Sequence, residues 1–579
     1  MNPGVLTCQA LLNCLIREVS VPEQQAWENG GHLVIRLARS GPLLRATLRR
    51  GSAGLGPRLA GQVQVRREGR WQPIGWEDLA ALIAAELTLA TGVTNDEFAG
   101  QVRGSHAALA AILGARQVPD GTGDHHVDRY LASEQALVAG HRFHPAPKAR
   151  QGGSRDWLRY APEAGARFPL RFLGVRDDVL AAEGDTAALE LLGGPPAPPG
   201  YRLLPAHPWQ LRLLEQRPWF AAARRGGFLV DLGPGSREVV PTSSVRTVYD
   251  PDADVFGKFS LNVRITNCVR TSAWYELAGS VALSGLLGPV FDDLAGRFPG
   301  TVLLAEPGYR TVSLASRDAF EGLAVIVREG LRGCLAAGVT PLLAAALAEP
   351  PRTGGAAGRA GAGSGAAGPD GEAGHTGPGP GRRLFGGRLF GGRDAAWLLG
   401  WWEAYLRRLA PPVLHVLFAC GVVLEPHLQN VLVGVDAEGW PQQVIFRDLE
   451  GVKLVSAQHG PLLASLAPGV ARGLAYDRER GWNRVAYCLI VNHLAEMAAA
   501  IADCCPARET RIEAALWSRA RAVLAGFGRD HGWTPELRAL MAGMPLPAKA
   551  NLTVRWARAA DREAVYVRVP NPLRERVPG

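Results

Sequence analysis

Apolar residues recur at helical spacing in two stretches near the start of the chain, residues 76–89 and 105–115, where Leu, Ile and Ala fall every three or four positions and Ser105 stands where a helix N-cap would. With an early strand pair ahead of them, they predict a mainly helical region over residues 1–140. Between about 145 and 265 the pattern changes to short β-type runs separated by turns. Further on, residues 397–420 read as a helix, 430–446 as a hairpin and most of 460–544 as helix again. Strands and helices are segregated rather than alternating, which predicts an α+β architecture.

One stretch breaks the globular pattern. Residues 349–394 are mostly Gly, Ala, Pro and Arg and include the tandem RLFGGRLFGG at 383–392. Such a composition buries too little apolar surface to offset its ordering entropy, so a disordered insertion is expected there, a surface loop without function of its own. It divides a 141–348 region from a 395–579 region. The remainder is ordinary: 579 residues with 47% hydrophobic and 20% charged exclude whole-chain disorder. A formal net charge of +9 is scattered along the chain with no Lys-rich tail, which favours small polyanions over nucleic acid. The eight cysteines form no CxxC pair, so reduced thiols are expected rather than a zinc ribbon or a disulfide framework. No apolar run reaches the roughly 20 residues of a bilayer span, and the first residues lack a signal-peptide pattern, so a soluble cytoplasmic protein without membrane partners is expected.

Candidate chemistry gathers in three segments. In PTSSVRTVYDPDADVFGKFSLNVRITNCVR, residues 241–270, the DPDAD run reads as a turn between two strands. The second strand alternates, with Phe259, Leu261, Val263 and Ile265 on one face and Lys258, Ser260, Asn262, Arg264 and Thr266 on the other. The hairpin folds Ser243, Ser244, Arg246 and Thr247 back towards Lys258. Hydroxyls and permanent cations on one face suit phosphate oxygens; a merely solvated sheet face is the alternative.

The second segment is EPHLQNVLVGVDAEGWPQQVIFRDLEG, residues 425–451. Antiparallel pairing would bring His427, Gln429 and Asn430 beside Asp448 and Glu450, as in a kinase catalytic loop where Asn and Asp hold Mg²⁺ on a nucleotide. Glu425, Asn430, Asp448 and Glu450 offer the oxygen ligands that hard cations take, although a lone Asp after a strand is also a common cap. In the third, GHRFHPAPKARQGG at 140–153, a helix carrying Glu134 and Gln135 stops at Gly140 and an extended path projects His141, His144, Lys148 and Arg150. Those four would cradle a polycarboxylate; capping or core histidines are the alternative, and zinc lacks a third ligand at metal spacing. Of the smaller signals, the HPWQ turn at 207–210 reads as packing, Asn492 and His493 as core, and Lys549 and Arg555 in the strand-like KANLTVRW as a possible return to the site. No P-loop, GxSxG, HExxH or GxGxxG after a strand is present.

Taken together, GHRFHPAPKARQG, LLPAHPWQ, TSSVRTVYDPDADVFGKFSLNVRITNCVR, EPHLQNVLV, FRDLEG, AKANLTVRW and VYVRVPNPL run in one order from about residue 130 to 574. This set resembles the IucA/IucC family of NRPS-independent siderophore synthetases, most closely its citrate-activating branch, which includes citrate and polyamine ligases of petrobactin-type pathways. The resemblance implies a hand-like fold of thumb, fingers and palm, the palm distantly kinase-like. It also implies an enzyme that uses ATP and Mg²⁺ to adenylate a citrate carboxylate and pass the acyl group to an amine, releasing AMP and pyrophosphate, as a homodimer. By motif, ATP would meet Ser244, Arg246, Thr247, Lys258, Arg270, His427, Gln429, Asn430 and Asp448, with Arg246, Lys258, Arg270 and His427 nearest the chemistry. Citrate would meet His141, His144, Lys148, Arg150 and Thr266. Glu425 and Asp448 would face the metal, with the choice between Asp448 and Glu450 open. The glycine-rich insertion is not a family feature. A kinase-like phosphotransferase and a ferric-siderophore binding or reducing protein are the competing readings.

Overall fold

The chain starts as a helix because Asn2 accepts a hydrogen bond from the Val5 amide at 3.2 Å and Pro3 occupies the first turn, where its missing N–H costs nothing. That helix, Pro3–Leu15, precedes a five-stranded meander whose strands lie in chain order from Ala26–Asn29 to Arg70–Pro73, all antiparallel. The N-terminal region is mainly helical after its strands, as expected, but the early strand pair is a five-stranded sheet. Ser105 caps nothing: Asn95 accepts from the amides of Glu97 and Phe98, so the helix runs Glu97–Ala115 with Ser105 buried inside it. The computed structural model describes residues 2–50, 55–116, 122–265, 268–349, 385–505, 512–559 and 565–574.

An eight-stranded antiparallel sheet forms the middle of the molecule, in the order Leu180–Gly184, Gly308–Val312, Val325–Arg328, Val255–Phe259, Thr247–Asp250, Leu229–Pro241, Phe168–Arg176 and Tyr201–Ala206. Its central hairpin turns at DPDAD, where Asp250 accepts from the amides of Asp252 and Ala253. The single alternating strand expected from Lys258 to Thr266 is instead two strands. Phe259 pairs with Val325 in the large sheet, the chain leaves at Ser260, and Leu261–Ile265 pairs with Cys268–Arg270. All of Val255–Phe259 is buried, so Lys258, only 1% exposed, stands in a closed interior and not on a wet face. Thr266 lies outside the described residues.

A four-stranded sheet carries the second hairpin, Val431–Val435 with Pro441–Phe446, flanked by Thr340–Leu343 and, in parallel, by Thr301–Leu303. Against it packs the helix Ala395–Phe418, whose stripe of Leu398, Trp401, Trp402, Tyr405, Leu406 and Leu409 is fully buried. Each such side chain contributes about 1.5–3 kcal/mol. The expected insertion is shorter than its composition suggested at the C-terminal side. Phe385–Leu389 is helical and Phe390 sits in the same core as Trp401. Two glycines of that helix are buried, and the tandem repeat therefore packs where small residues let backbones approach. Residues 350–384 lie outside the described set.

The KANLTVRW run is not one strand. Leu546–Lys549 pairs with Tyr566–Val569, and the chain then coils into the helix Asn551–Trp556, whose first amides at Leu552 and Thr553 donate to the Glu18 carboxylate, each at 2.8 Å. Leu552 and Trp556 complete the N-terminal core. Trp274–Arg297 and Arg478–Cys504 are long enough to span a bilayer and hold 18-residue windows with mean hydropathies of 1.2 and 1.6; 83% of the latter window is buried, as in a core helix. Helices and antiparallel sheets together give a mixed fold.

Candidate functional site

The two hairpins meet at Lys258. Its ammonium lies 2.5 Å from Asp448 Oδ1, 2.8 Å from Glu450 Oε2 and 3.8 Å from Glu306 Oε1. Arg246 Nη2 is 2.6 Å from the same Glu450 oxygen, and its Nη1 donates to Ser272 Oγ at 3.1 Å. Arg328 closes the group, 2.6 Å from Glu306 and 3.7 Å from Asp448. Three cations and three carboxylates thus interlock across strands distant in the chain. Burial alone would raise the Asp448 carboxyl, but Lys258, Arg328 and Arg246 hold it far below the usual range. Against the same burial, Arg246 and Lys258 bring Glu450 down to about 2. Burial would lower the Lys258 ammonium, yet Asp448, Glu306 and Glu450 keep it above its ordinary value. All stay ionised at neutral pH.

The loops that deliver these side chains are strained. Val245, between Ser244 and Arg246, has φ 65°, and Asp448 has φ 74°, both in the left-handed region that non-glycine residues rarely occupy and that a β-branched valine strongly resists. Ser243 Oγ accepts from Gln429 Nε2 at 3.1 Å, tying the first loop to the second. Thr247 Oγ1 lies 3.5 Å from Ser244 Oγ. Asn430 donates to the Glu425 carbonyl at 3.3 Å, and the His427 ring accepts from the Gln429 amide at 3.3 Å. His427 is pushed below its ordinary pKa by burial, with Arg484 and Lys549 adding to the effect against Glu425 and Asp448. Arg270 pairs along its backbone with Leu261, next to the Arg246 guanidinium that donates to its carbonyl at 3.4 Å.

The third segment joins both. Arg150 forms an isolated bridge with Ile265, and the Gln151 amide donates to the Arg264 carbonyl at 3.0 Å. On the other side, Asn492 contacts His141 Nε2 at 2.9 Å and accepts from the Leu428 amide at 3.2 Å. The four cations expected here reduce in charge, however. The His141 side chain is exposed at the surface, yet the surrounding protein, with His144 and Arg17, pushes its pKa below the ordinary value. Nδ1 of each histidine accepts a backbone amide two residues on, as a turn cap does. Lys148 is bound to Glu163 and donates to the Leu137 carbonyl at 2.7 Å. Arg150 stacks on Trp157 at 4.4 Å.

Glu425 and Asp448 are placed differently from one another. Arg484 holds the Glu425 carboxylate, which packs against Gly451 so closely that a Cβ there would stand 1.9 Å from Oε2. Among the described residues no group of three His, Cys, Asp or Glu is arranged to hold a metal by itself. Asp448 and Glu450, converging on one ammonium, are the better-placed oxygen donors. His207 caps the helix Pro208–Leu214 and Gln210 ties it to Gly322 and Asn262, which is packing. Lys549 reaches the field of His427, whereas Arg555 turns to Gln101. A cavity of about 250 Å³ beside the HPWQ helix shares no residue with the cluster, and two of its arginines are already paired, Arg171 with Asp231 and Arg212 with Asp156.

Sequence reasoning missed Glu306, Arg328, Arg447 and Asn492. The available signal was a charged residue inside an otherwise apolar strand, as in VIVR and VIFRD, since an ion in a buried strand has to be met by a partner.

Comparison with known proteins places this geometry. The IucA / IucC family profile matches residues 129–349, and that of the ferric iron reductase FhuF-like transporter matches residues 400–564. The L-2,3-diaminopropanoate–citrate ligase of Staphylococcus aureus is 29% identical over 79% of this chain and 77% of its own. The rhizobactin siderophore biosynthesis protein RhbC of Rhizobium meliloti is 29% identical over 99% of this chain and 98% of its own. The fold is similar to that of ATP-bound aerobactin synthetase IucA from Klebsiella pneumoniae, with a TM-score of 0.78 at 23% identity over 99% of this chain and 100% of that one.

Proposed function

The chain carries an IucA/IucC family domain, and from that premise we propose that it is a siderophore synthetase that adenylates a citrate carboxylate with ATP and condenses the acyl group with an amine. The observation that carries this reading is the sharing of Lys258 between Asp448 and Glu450, which brings phosphate-type donors of one hairpin against carboxylates of the other. A carboxylate is a poor acyl donor because oxide would have to leave. Attack of a citrate oxygen on the α-phosphorus breaks that phosphorus's bond to the bridging oxygen, and pyrophosphate departs. The amine nitrogen then attacks the acyl carbon, AMP leaves with the electron pair of the broken C–O bond, and the amine gives up a proton.

Arg246 and Lys258, both buried, and the half-buried Arg270 offset the charge gathering on the α-phosphoryl group and on pyrophosphate, where a donor shielded from water counts for more than in water. Ser244, Thr247, His427, Gln429 and Asn430 orient the nucleotide. Asp448 and Glu450 would hold Mg²⁺, which would neutralise phosphate charge there. Glu425, paired with Arg484, would be a further oxygen donor. His141, His144, Arg150, Lys148 and Thr266 would face citrate, with Arg150 as the cation and the histidines as hydrogen-bonding partners. In the hand-like description, residues 1–140 form the thumb, 141–348 the fingers and 395–579 the palm.

Product analysis tests the reading. Incubation with ATP, citrate and a panel of amines (spermidine, putrescine, lysine derivatives, L-2,3-diaminopropanoate) should yield equal AMP and pyrophosphate, and Arg270→Ala should cut citrate-dependent hydroxamate formation at least about a hundredfold with an unchanged melting temperature. ADP without AMP would favour a kinase. The match to a ferric iron reductase-like family over residues 400–564 motivates a second reading, which requires ferric-chelate binding without ATP.

A further inference from the structure

Glu134 is the last residue of the helix His125–Glu134, completely buried, and a carboxylate there faces the negative end of the helix dipole. Burial and dipole both oppose its charge, yet burial's upward push is overcome chiefly by Arg447, and its pKa lies below the ordinary value. The partners form a closed ring. Glu134 Oε1 and Oε2 lie 2.5 and 3.2 Å from the Arg447 guanidinium. Arg447 donates to the Gln429 carbonyl at 2.9 and 3.1 Å and to Tyr130 Oη at 3.1 Å. Gln429 Nε2 reaches Ser243 Oγ at 3.1 Å, and the Ser243 amide returns to Glu134 Oε2 at 3.0 Å. The Arg447 amide also donates to the Asn430 carbonyl at 3.1 Å.

Each side of this ring adjoins a strained residue. Ser243 lies two positions before Val245, and Arg447 immediately precedes Asp448, the two left-handed residues of the site. Strained turns persist only where surrounding contacts over-determine them. We infer that Glu134 is a positioning residue: through Arg447 and Ser243 it fixes the separation of the Ser243–Thr247 and His427–Asn430 loops, and so the shape of the triphosphate cleft. The nucleotide part of this inference rests on the proposed function; the coupling of the two loops does not.

The test is Glu134→Gln, which keeps the shape and the amide acceptor and removes the charge. With ATP varied, its KM should rise about tenfold while kcat stays within about threefold and the KM for citrate is unchanged, the split expected when ground-state positioning of one substrate is lost. Amide hydrogen exchange should accelerate about tenfold or more in residues 243–247 and 427–430 together, while the hairpin core Val255–Phe259 stays at the wild-type rate. If Glu134→Gln fails to fold because Arg447 is left unpaired, the double variant Glu134→Gln with Arg447→Met removes the orphan charge and should show the same KM shift and joint acceleration. Unchanged exchange in either loop, or an unchanged KM for ATP in an enzyme that uses ATP, overturns the inference. Joint acceleration in a wild-type background that binds no ATP would instead overturn the proposed function and leave the positioning role standing.

Discussion

The Lys258 cluster and the His141–Arg150 segment both gather basic side chains, but an interlocked ionic network forms only around Lys258. Around Lys258, burial is answered by counter-charges from other strands, and Asp448, Glu450, Arg246 and Lys258 all remain ionised. In the other segment Lys148 is met in the same way by Glu163, while the two imidazoles accept backbone amides on Nδ1. Residue type therefore fixes what a group can do, and the partners that folding supplies decide which charge it carries. A triphosphate needs standing cations. A tricarboxylate can be held by one cation, Arg150, among hydrogen-bonding groups.

Breaking the first half of that comparison should give the largest effect. Lys258→Met keeps most of the stem's volume but leaves Asp448, Glu450 and Glu306 sharing two cations instead of three. Removing one member of a buried ionic network costs about 3–5 kcal/mol, because the remaining charges stay buried without their partner. Pyrophosphate release should fall about a thousandfold, as loss of an electrostatic stabiliser does. Denaturant unfolding and a continuous pyrophosphate assay measure the two effects; near-normal turnover would remove Lys258 from the chemistry.

A smaller effect tests a buried imidazole outside both regions, in the HPWQ turn. His207, 1% exposed and with Nε2 buried and unpartnered, is lowered by burial, and then by Arg212, from 6.5 to about 3. The unfolded chain therefore takes up its proton first, so the stability that His207 contributes is complete above about pH 6.5 and is lost as pH falls towards 3. Glu18 and Glu276, raised to about 7 by burial, act in the opposite sense between about pH 4.5 and 7, and the wild-type curve alone is uninformative there. The His207→Asn variant keeps a capping side chain and removes the titration. Relative to wild type it should gain about 1.4 kcal/mol per pH unit on acidification from 6 to 4. Urea unfolding at several pH values measures it, and parallel curves would show that His207 does not titrate on unfolding.

Much of the candidate site was legible in the sequence because its residues sit on hairpins with strong turn chemistry. DPDAD and the 436–441 turn fix which residues face one another, and Lys258 meets Asp448 as a result. The long-range closures were not legible. No local pattern says that Glu134 meets Arg447 or that Asn492 meets His141, since these pairings depend on how layers stack. Periodicity failed where a strand changes partners, at Ser260, because alternation continues in sequence while the hydrogen bonding passes to another sheet. Composition failed at Phe385–Leu389, where a glycine-rich repeat packs by its small size.

The smallest expected effect comes from the stretch that precedes that repeat. The helices Ala344–Ala348 and Phe385–Leu389 already touch: a Cβ on Gly386 would stand 2.2 Å from the Leu347 carbonyl oxygen, so the ends to be rejoined are fixed by the core and not by what connects them. Loop-closure entropy varies only with the logarithm of length, and halving a connection changes stability by about 0.6 kcal/mol. Removing residues 354–381 should therefore leave turnover at the wild-type level and shift the unfolding midpoint slightly upward. Loss of turnover with the fold intact would give the stretch a part in the cleft, and that result would extend the active region beyond the two hairpins on which the charged cluster stands.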